Sequence, residues 1–155
     1  FFLDFTTSFF RFYNFSIMIR HSQTFIVFIL SLFAIPVCYF LSTVKELYDE
    51  NVLFVIAVGL CVGIVLISMG LFGRRDLYVI GFSFFTWTCL VDLLLAFNID
   101  GFIDWLDFYL EEGEKYLQSA HGAAINYWDG SVHYVLYLIM IDRLSAQSAR
   151  PVSLI

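Results

Sequence analysis

The sequence is short of charge. Only 14% of its 155 residues are Asp, Glu, Lys or Arg, against 61% apolar, and the mean hydropathy is +0.84. An ordinary soluble domain carries about 25% charged and roughly 45–50% apolar residues. A water-soluble globule of this length would therefore have too few charges to cover its apolar side chains. Basic residues are the scarcer sign: the net charge of −6 leaves no bulk attraction for nucleic acid or anionic lipid. Cysteine is limited to Cys38, Cys61 and Cys89, each within an apolar run and none in a CxxC or zinc spacing. That excludes a secreted disulfide scaffold and a zinc module, and no metal or other cofactor is expected. What is plentiful is phenylalanine, at 19 positions. The composition defines an integral membrane protein. Opening on Phe1 rather than Met, the chain is expected to be a fragment of a longer protein.

A membrane-crossing helix needs about 20 apolar residues for roughly 30 Å of hydrocarbon. Four segments qualify: 24–44 with a kink at Pro36, 52–72 with no charge at all, 77–99 interrupted by Asp92, and 122–141, polar at Asn126, Asp129 and His133. Gly59 and Gly63 in the second have the spacing that lets helix backbones approach, and equally suit a lipid-facing helix. The short connections around Asp49–Asn51 and Gly73–Asp76 make neighbours antiparallel. The expected fold is an all-α polytopic membrane bundle of four spanning helices plus an interfacial amphipathic helix.

Orientation follows from the basic residues. Arg11, Arg20, Arg74, Arg75, Arg143 and Arg150 fall on one side and Lys45 and Lys115 on the other, which places both ends in the cytosol. The sequon Asn14-Phe15-Ser16 points the other way and is read as a chance tripeptide. Residues 1–23 hold seven phenylalanines in the first 15 positions. They read as an interfacial helix or as a stretch foreign to the protein, not as a cleaved signal.

Between the third and fourth spans, Asp100, Asp104, Asp107 and Glu111 recur on one helical face, and Phe102, Trp105, Leu106, Tyr109 and Leu110 on the other. The pattern predicts an amphipathic helix lying in the membrane interface and ending at Gly113.

The chemically informative residues are the ionisable ones at membrane depth, where a carboxylate costs at least about 2.5–3.5 kcal/mol and needs a partner. Asp129 and His133 share a face at i and i+4. Antiparallel packing puts Asp92 and Asp129 at a similar depth, each roughly 10 Å from the lumenal end of its span. These groups read as interhelical glue, as the polar floor of a lipid-binding cavity, or as an acid–base pair. The expected lipid-binding set is Asp92, Asn126, Tyr127, Trp128, Asp129, His133 and Tyr134, with Asp92, Asp129 and His133 as the catalytic candidates.

The strings Phe108-Tyr109, Glu112-Gly113-Glu114, Tyr116-Leu117, Ala120-His121-Gly122, Tyr127-Trp128-Asp129-Gly130, Val132-His133-Tyr134 and Leu136-Tyr137-Leu138 resemble the first repeat of the transmembrane 6 superfamily. Ala34-Ile35-Pro36-Val37 and Val91-Asp92-Leu93 fit the same family upstream. The resemblance implies a multi-span resident of the endoplasmic reticulum and its Golgi-side compartments, carrying EXPERA domains, the module shared with sterol Δ8–Δ7 isomerases. It also implies a role in lipoprotein triglyceride loading and lipid-droplet content. By this resemblance residues 52–141 form most of a first EXPERA domain, the second is absent, and 142–155 is an atypical tail. The isomerase pattern is incomplete. Sterol isomerases carry His and Glu four residues apart on the third span, where this chain has Asp92 and Ala96, and a Glu on the fourth, where it has Asp129. The leading expectation is a membrane protein that binds sterol or neutral lipid without turnover. A residual isomerase and a scaffold for other membrane proteins are the alternatives.

Overall fold

The computed structural model describes residues 23–44, 49–73, 76–112 and 115–148. The Phe-rich segment with its sequon, Lys45, the Arg74–Arg75 pair, Gly113 and the last residues of the tail lie outside the described residues.

Among the described residues three helices are long and apolar enough to cross a membrane: Gln23–Thr43 (α1), one within Glu50–Phe72 (α2) and Leu77–Ile99 (α3). In α1, Pro36 cannot donate to the Leu32 carbonyl. The chain answers with a tighter turn at Phe33, whose N–H bonds Leu30 O at 3.2 Å, before the helix resumes at Ala34. Asp49 starts α2 by accepting from the N–H groups of Asn51 and Val52 at 3.0 and 3.3 Å.

The expected fourth span is helical from Ala120 to Ser148 but is not one regular helix. An α-helix over Ala120–Trp128 (α5) passes through a π turn at Asp129–His133 into another at Tyr134–Ser148 (α6). The helix thus runs past Ile141, and Ile141 and Ser145 in its last turns are buried, with Ser145 meeting Gln23 of α1.

The core is stacked in three layers around α3. Val27, Val79 and Ile141 form one end, with Phe72 against them. Ala34, Ile64, Trp87 and Leu90 form the middle. Cys38, Leu94, Leu95, Leu106, Phe108, Leu110 and Leu117 form the other end. Residue numbers rise together along α1 and α3 and run opposite along α2 and α6, so the bundle is up-down. The apolar segments of α3 and α2 are 56% and 11% buried. Helix α3 is therefore the axis, while α2 presents most of its surface outward. Gly59 and Gly63 meet nothing within 4 Å, so the lipid-facing alternative holds for this pair within the described chain.

The amphipathic helix requires correction. Regular helix covers only Asp107–Glu112 (α4), with a 3₁₀ turn at Lys115–Gln118. The face beginning at Asp100 cannot continue, because Asp100 belongs to the end of α3. There Gly101 takes a φ of 75°, its N–H bonds Asn98 O, Phe102 N–H bonds Phe97 O, and the two Phe rings lie 6.0 Å apart. This is a Schellman cap with its hydrophobic contact. Asn98 then folds the chain back: its Oδ1 accepts from Leu106 N–H at 2.8 Å and its Nδ2 donates to Asp107 at 2.6 Å. Leu106, Phe108 and Leu110 are consequently buried against α1 and α3 rather than laid on lipid, and Trp105 packs on Tyr39.

A close contact with α3 fixes where the fourth segment sits. A Cβ on Gly130 would lie 2.5 Å from Leu93 Cβ and 2.8 Å from its Cα and N. Gly130→Val should therefore force α3 and the π turn apart and destabilise the fold by about 1–3 kcal/mol. Thermal unfolding in detergent would show this as a lowered midpoint, with Gly59→Val, in open surroundings, as the unaffected control.

Candidate functional site

Three walls of helix leave a void. A cavity of about 630 Å³ lies between α1, α2, α3 and the residues leading into α4, within the roughly 300–1,000 Å³ range of small-molecule sites. Its lining is mainly apolar, including Leu53, Leu60, Leu95 and Leu106, and both Cys38 and Cys61 border it. Polar groups are few. Thr88 Oγ1 is spent on Phe85 O at 2.9 Å. Trp87 is only 6% exposed, and its indole N–H, itself closed off from the cavity, has no acceptor among the described residues. Leaving such a donor unmet costs roughly 1–3 kcal/mol. Asp92, half-buried near the level of Leu94, has no hydrogen-bond partner among the described residues. A smaller polar hollow of about 320 Å³ sits at the membrane-end connector between Asn98, Asp107, Glu111 and Gln118.

On the other side of the α3 contact, the π turn builds a second polar feature. Tyr134 N–H bonds Asp129 O, five residues back. Widening the helix this way places residues i and i+5 over each other, so Trp128 and His133 meet, Trp128 Nε1 donating to His133 Nε2 at 3.2 Å. His133 Nδ1 lies 2.5 Å from Asp129 Oδ1. Since Nε2 accepts, the ring is neutral and its proton is on Nδ1, donated to Asp129. This indole–imidazole–carboxylate chain is partly open, with the His133 and Asp129 side chains 40% and 30% exposed.

The expected site residues therefore separate. Asp92 and Asp129 flank the Leu93–Gly130 contact and lie within electrostatic reach of each other. Of the seven, however, Asp92 alone lines the cavity. Trp128, Asp129 and His133 come together on the π turn. Tyr134 bonds Ser31 of α1 at 2.9 Å; because the Ser31 proton goes to Phe28 O, Tyr134 is the donor. Tyr127 donates to Asp100 at 2.6 Å, tying α5 to the end of α3. Asn126 is buried, with no partner for its Nδ2 among the described residues. Among the described residues no group of three or more His, Cys, Asp or Glu could hold a metal ion.

Sequence reasoning passed over Trp87 and Asn98. A tryptophan in an apolar run reads as core, and only its unmet N–H sets it apart. The spacing does place Thr88 and Asp92, at i and i+4, on one side of α3, while Trp87 lies about 140° around the helix from Asp92.

A helical bundle with an axial helix, an apolar cavity and polar groups at membrane depth is an integral membrane protein of the polytopic kind. Residues 33–154 match the family described as Transmembrane 6 superfamily member 2-like, transmembrane domain, and the chain belongs to that family. It is similar to the proteins named Transmembrane 6 superfamily member 2 of Rattus norvegicus, at 41% identity over 117 residues, and of Homo sapiens, at 40% over 116. The Mus musculus relative is 38% identical over 117 residues. Each alignment covers 72% of this chain and 30% of the relative, so the chain spans under a third of the curated relatives it matches. No solved structure matches it.

The hydrogen-bond chain fixes a tautomer that can be read directly. Nitrogen-15 NMR of histidine-labelled protein should show His133 protonated at Nδ1 and bare at Nε2. Asp129→Leu, which removes the acceptor, should abolish that preference; an Nε2–H tautomer in the unsubstituted protein would contradict the geometry.

Proposed function

We propose that this chain binds a sterol or other neutral lipid in the cavity between α1, α2 and α3, and that through it the protein regulates lipid metabolism in the endoplasmic reticulum and its Golgi-side compartments. Loading of triglyceride into lipoproteins and lipid droplets is the process this would serve. One observation carries the reading: a mainly apolar void at membrane depth, lined by leucines of three helices, whose border holds the Asp92 carboxyl, without a hydrogen-bond partner among the described residues. A carboxyl there is costly in hydrocarbon unless something polar meets it, and the surrounding leucines suit a hydrophobic body attached to a polar group.

The acid–base reading needs two carboxyls at one void, as when a double bond is protonated on one face and deprotonated on another. Asp129 does not line the cavity and is engaged by His133. Binding is the function this geometry favours.

Photo-crosslinking in native membranes tests the proposal. Sterol and neutral-lipid probes are expected to label peptides of α1, α2 and α3 that border the cavity. Ala57→Phe, which adds a ring to the cavity wall, should reduce labelling severalfold while leaving the unfolding midpoint near its original value. Labelling confined to the outward face of α2 would contradict the assignment.

A further inference from the structure

Resting on the cavity reading above, we propose that the connector, residues 102–110, is a lid through which ligand enters and leaves the cavity, and that Asn98 is its latch. The segment lies between two voids. Leu106, Phe108 and Tyr109 line the apolar cavity on one side. Asn98, Asp107, Leu110 and Gln118 border the polar hollow of about 320 Å³ on the other. Residues 102–106 belong to no helix. The α3 ladder ends with Phe102 N–H on Phe97 O, and the next N–H tied back to α3 is that of Leu106, through the Asn98 side chain.

The latch is therefore a single side-chain amide. Its Oδ1 accepts from Leu106 and its Nδ2 donates to Asp107, two bonds that hold the start of α4 against α3. Both Asn98 and Asp107 border the polar hollow, and Asp107 is exposed. Releasing the latch exchanges two protein hydrogen bonds for bonds to water at small net cost, with no helix to unravel. Gly101 supplies the hinge: it sits in the left-handed region, and nothing lies within 4 Å of where its Cβ would be. What draws the lid shut is apolar packing, of Leu106, Phe108 and Leu110 in one cluster with Cys38, and of Trp105 edge-on to Tyr39. Segments that admit ligands are drawn from such weakly tied parts of a fold.

Cys38 reports on the lid with no ligand present. It is buried under the connector, whereas Cys89, equally buried at 4% exposure, belongs neither to that cluster nor to the cavity wall. The test is iodoacetamide alkylation of the full chain in lipid nanodiscs, read as the ratio of the Cys38 rate to the Cys89 rate. Asp107→Ala removes one latch bond at an exposed position and should raise the ratio about 2- to 10-fold; Asn98→Leu removes both and should raise it further. General loosening of the bundle would speed both thiols and leave the ratio where it was. An unchanged ratio in Asp107→Ala would overturn the latch, whether or not Asn98→Leu folds.

Passage is read separately. Photoreactive sterol and triacylglycerol probes, preloaded and chased with unlabelled vesicles before illumination, should be lost from cavity peptides several times faster in the latch variants. Faster Cys38 alkylation with unchanged probe loss would overturn passage through the lid. Absence of cavity labelling by every probe would instead remove the lipid-binding reading and with it the role in passage, while the Cys38 ratio would still decide the latch.

Discussion

The contact between Gly130 and the backbone of Leu93 decides most of what this fold can do. Only a residue without a Cβ permits the π turn to approach α3 so closely. Because the contact consumes the face of α3 at Leu93, the residues to either side are turned apart. Asp92 is left at the cavity beneath α1 and α2, and Asp129 is left to His133. The same backbone approach that brings the carboxyls to one level thus denies them a common pocket.

The two polar features are then held by different means. The π turn is locally self-sufficient: an extra residue in the helical turn sets Trp128 over His133, and the imidazole joins indole to carboxylate. Its hydrogen-bonding needs are met within six consecutive residues. The cavity is the opposite case. Its walls come from segments far apart in sequence, closed at one end by the Asn98 clamp that folds Leu106 and Phe108 inward. Of its polar groups, the Asp92 carboxyl has no hydrogen-bond partner among the described residues. A site that completes its own hydrogen bonds stabilises structure; one that leaves a carboxyl open among apolar walls is suited to a ligand.

Much of the architecture could be read in advance because hydrocarbon leaves few choices. Long apolar runs must be helices there, and Leu77–Ile99 was legible to the residue. The common level of Asp92 and Asp129 also followed from antiparallel packing and helix rise. Rotation about the helix axis did not. It depends on where Gly130 docks and on the π turn, and an inserted turn shifts every later side chain around the helix relative to a regular 3.6-residue repeat. The connector was misjudged for a related reason. Asp100, Asp104, Asp107 and Glu111 have helical spacing, but Gly101 in the left-handed region ends α3 inside that pattern, and Asn98 then takes the backbone N–H of Leu106. Periodicity alone cannot register a side chain that captures backbone groups eight residues away.

A side-chain-resolution reconstruction of the chain in lipid nanodiscs would test the central claim most directly. The account expects elongated density between α1, α2 and α3 that ends within hydrogen-bonding distance of Asp92, with Trp128, His133 and Asp129 linked separately on the π turn. A collapsed cavity, with Asp92 rotated past Leu93 to meet Asp129, would contradict it.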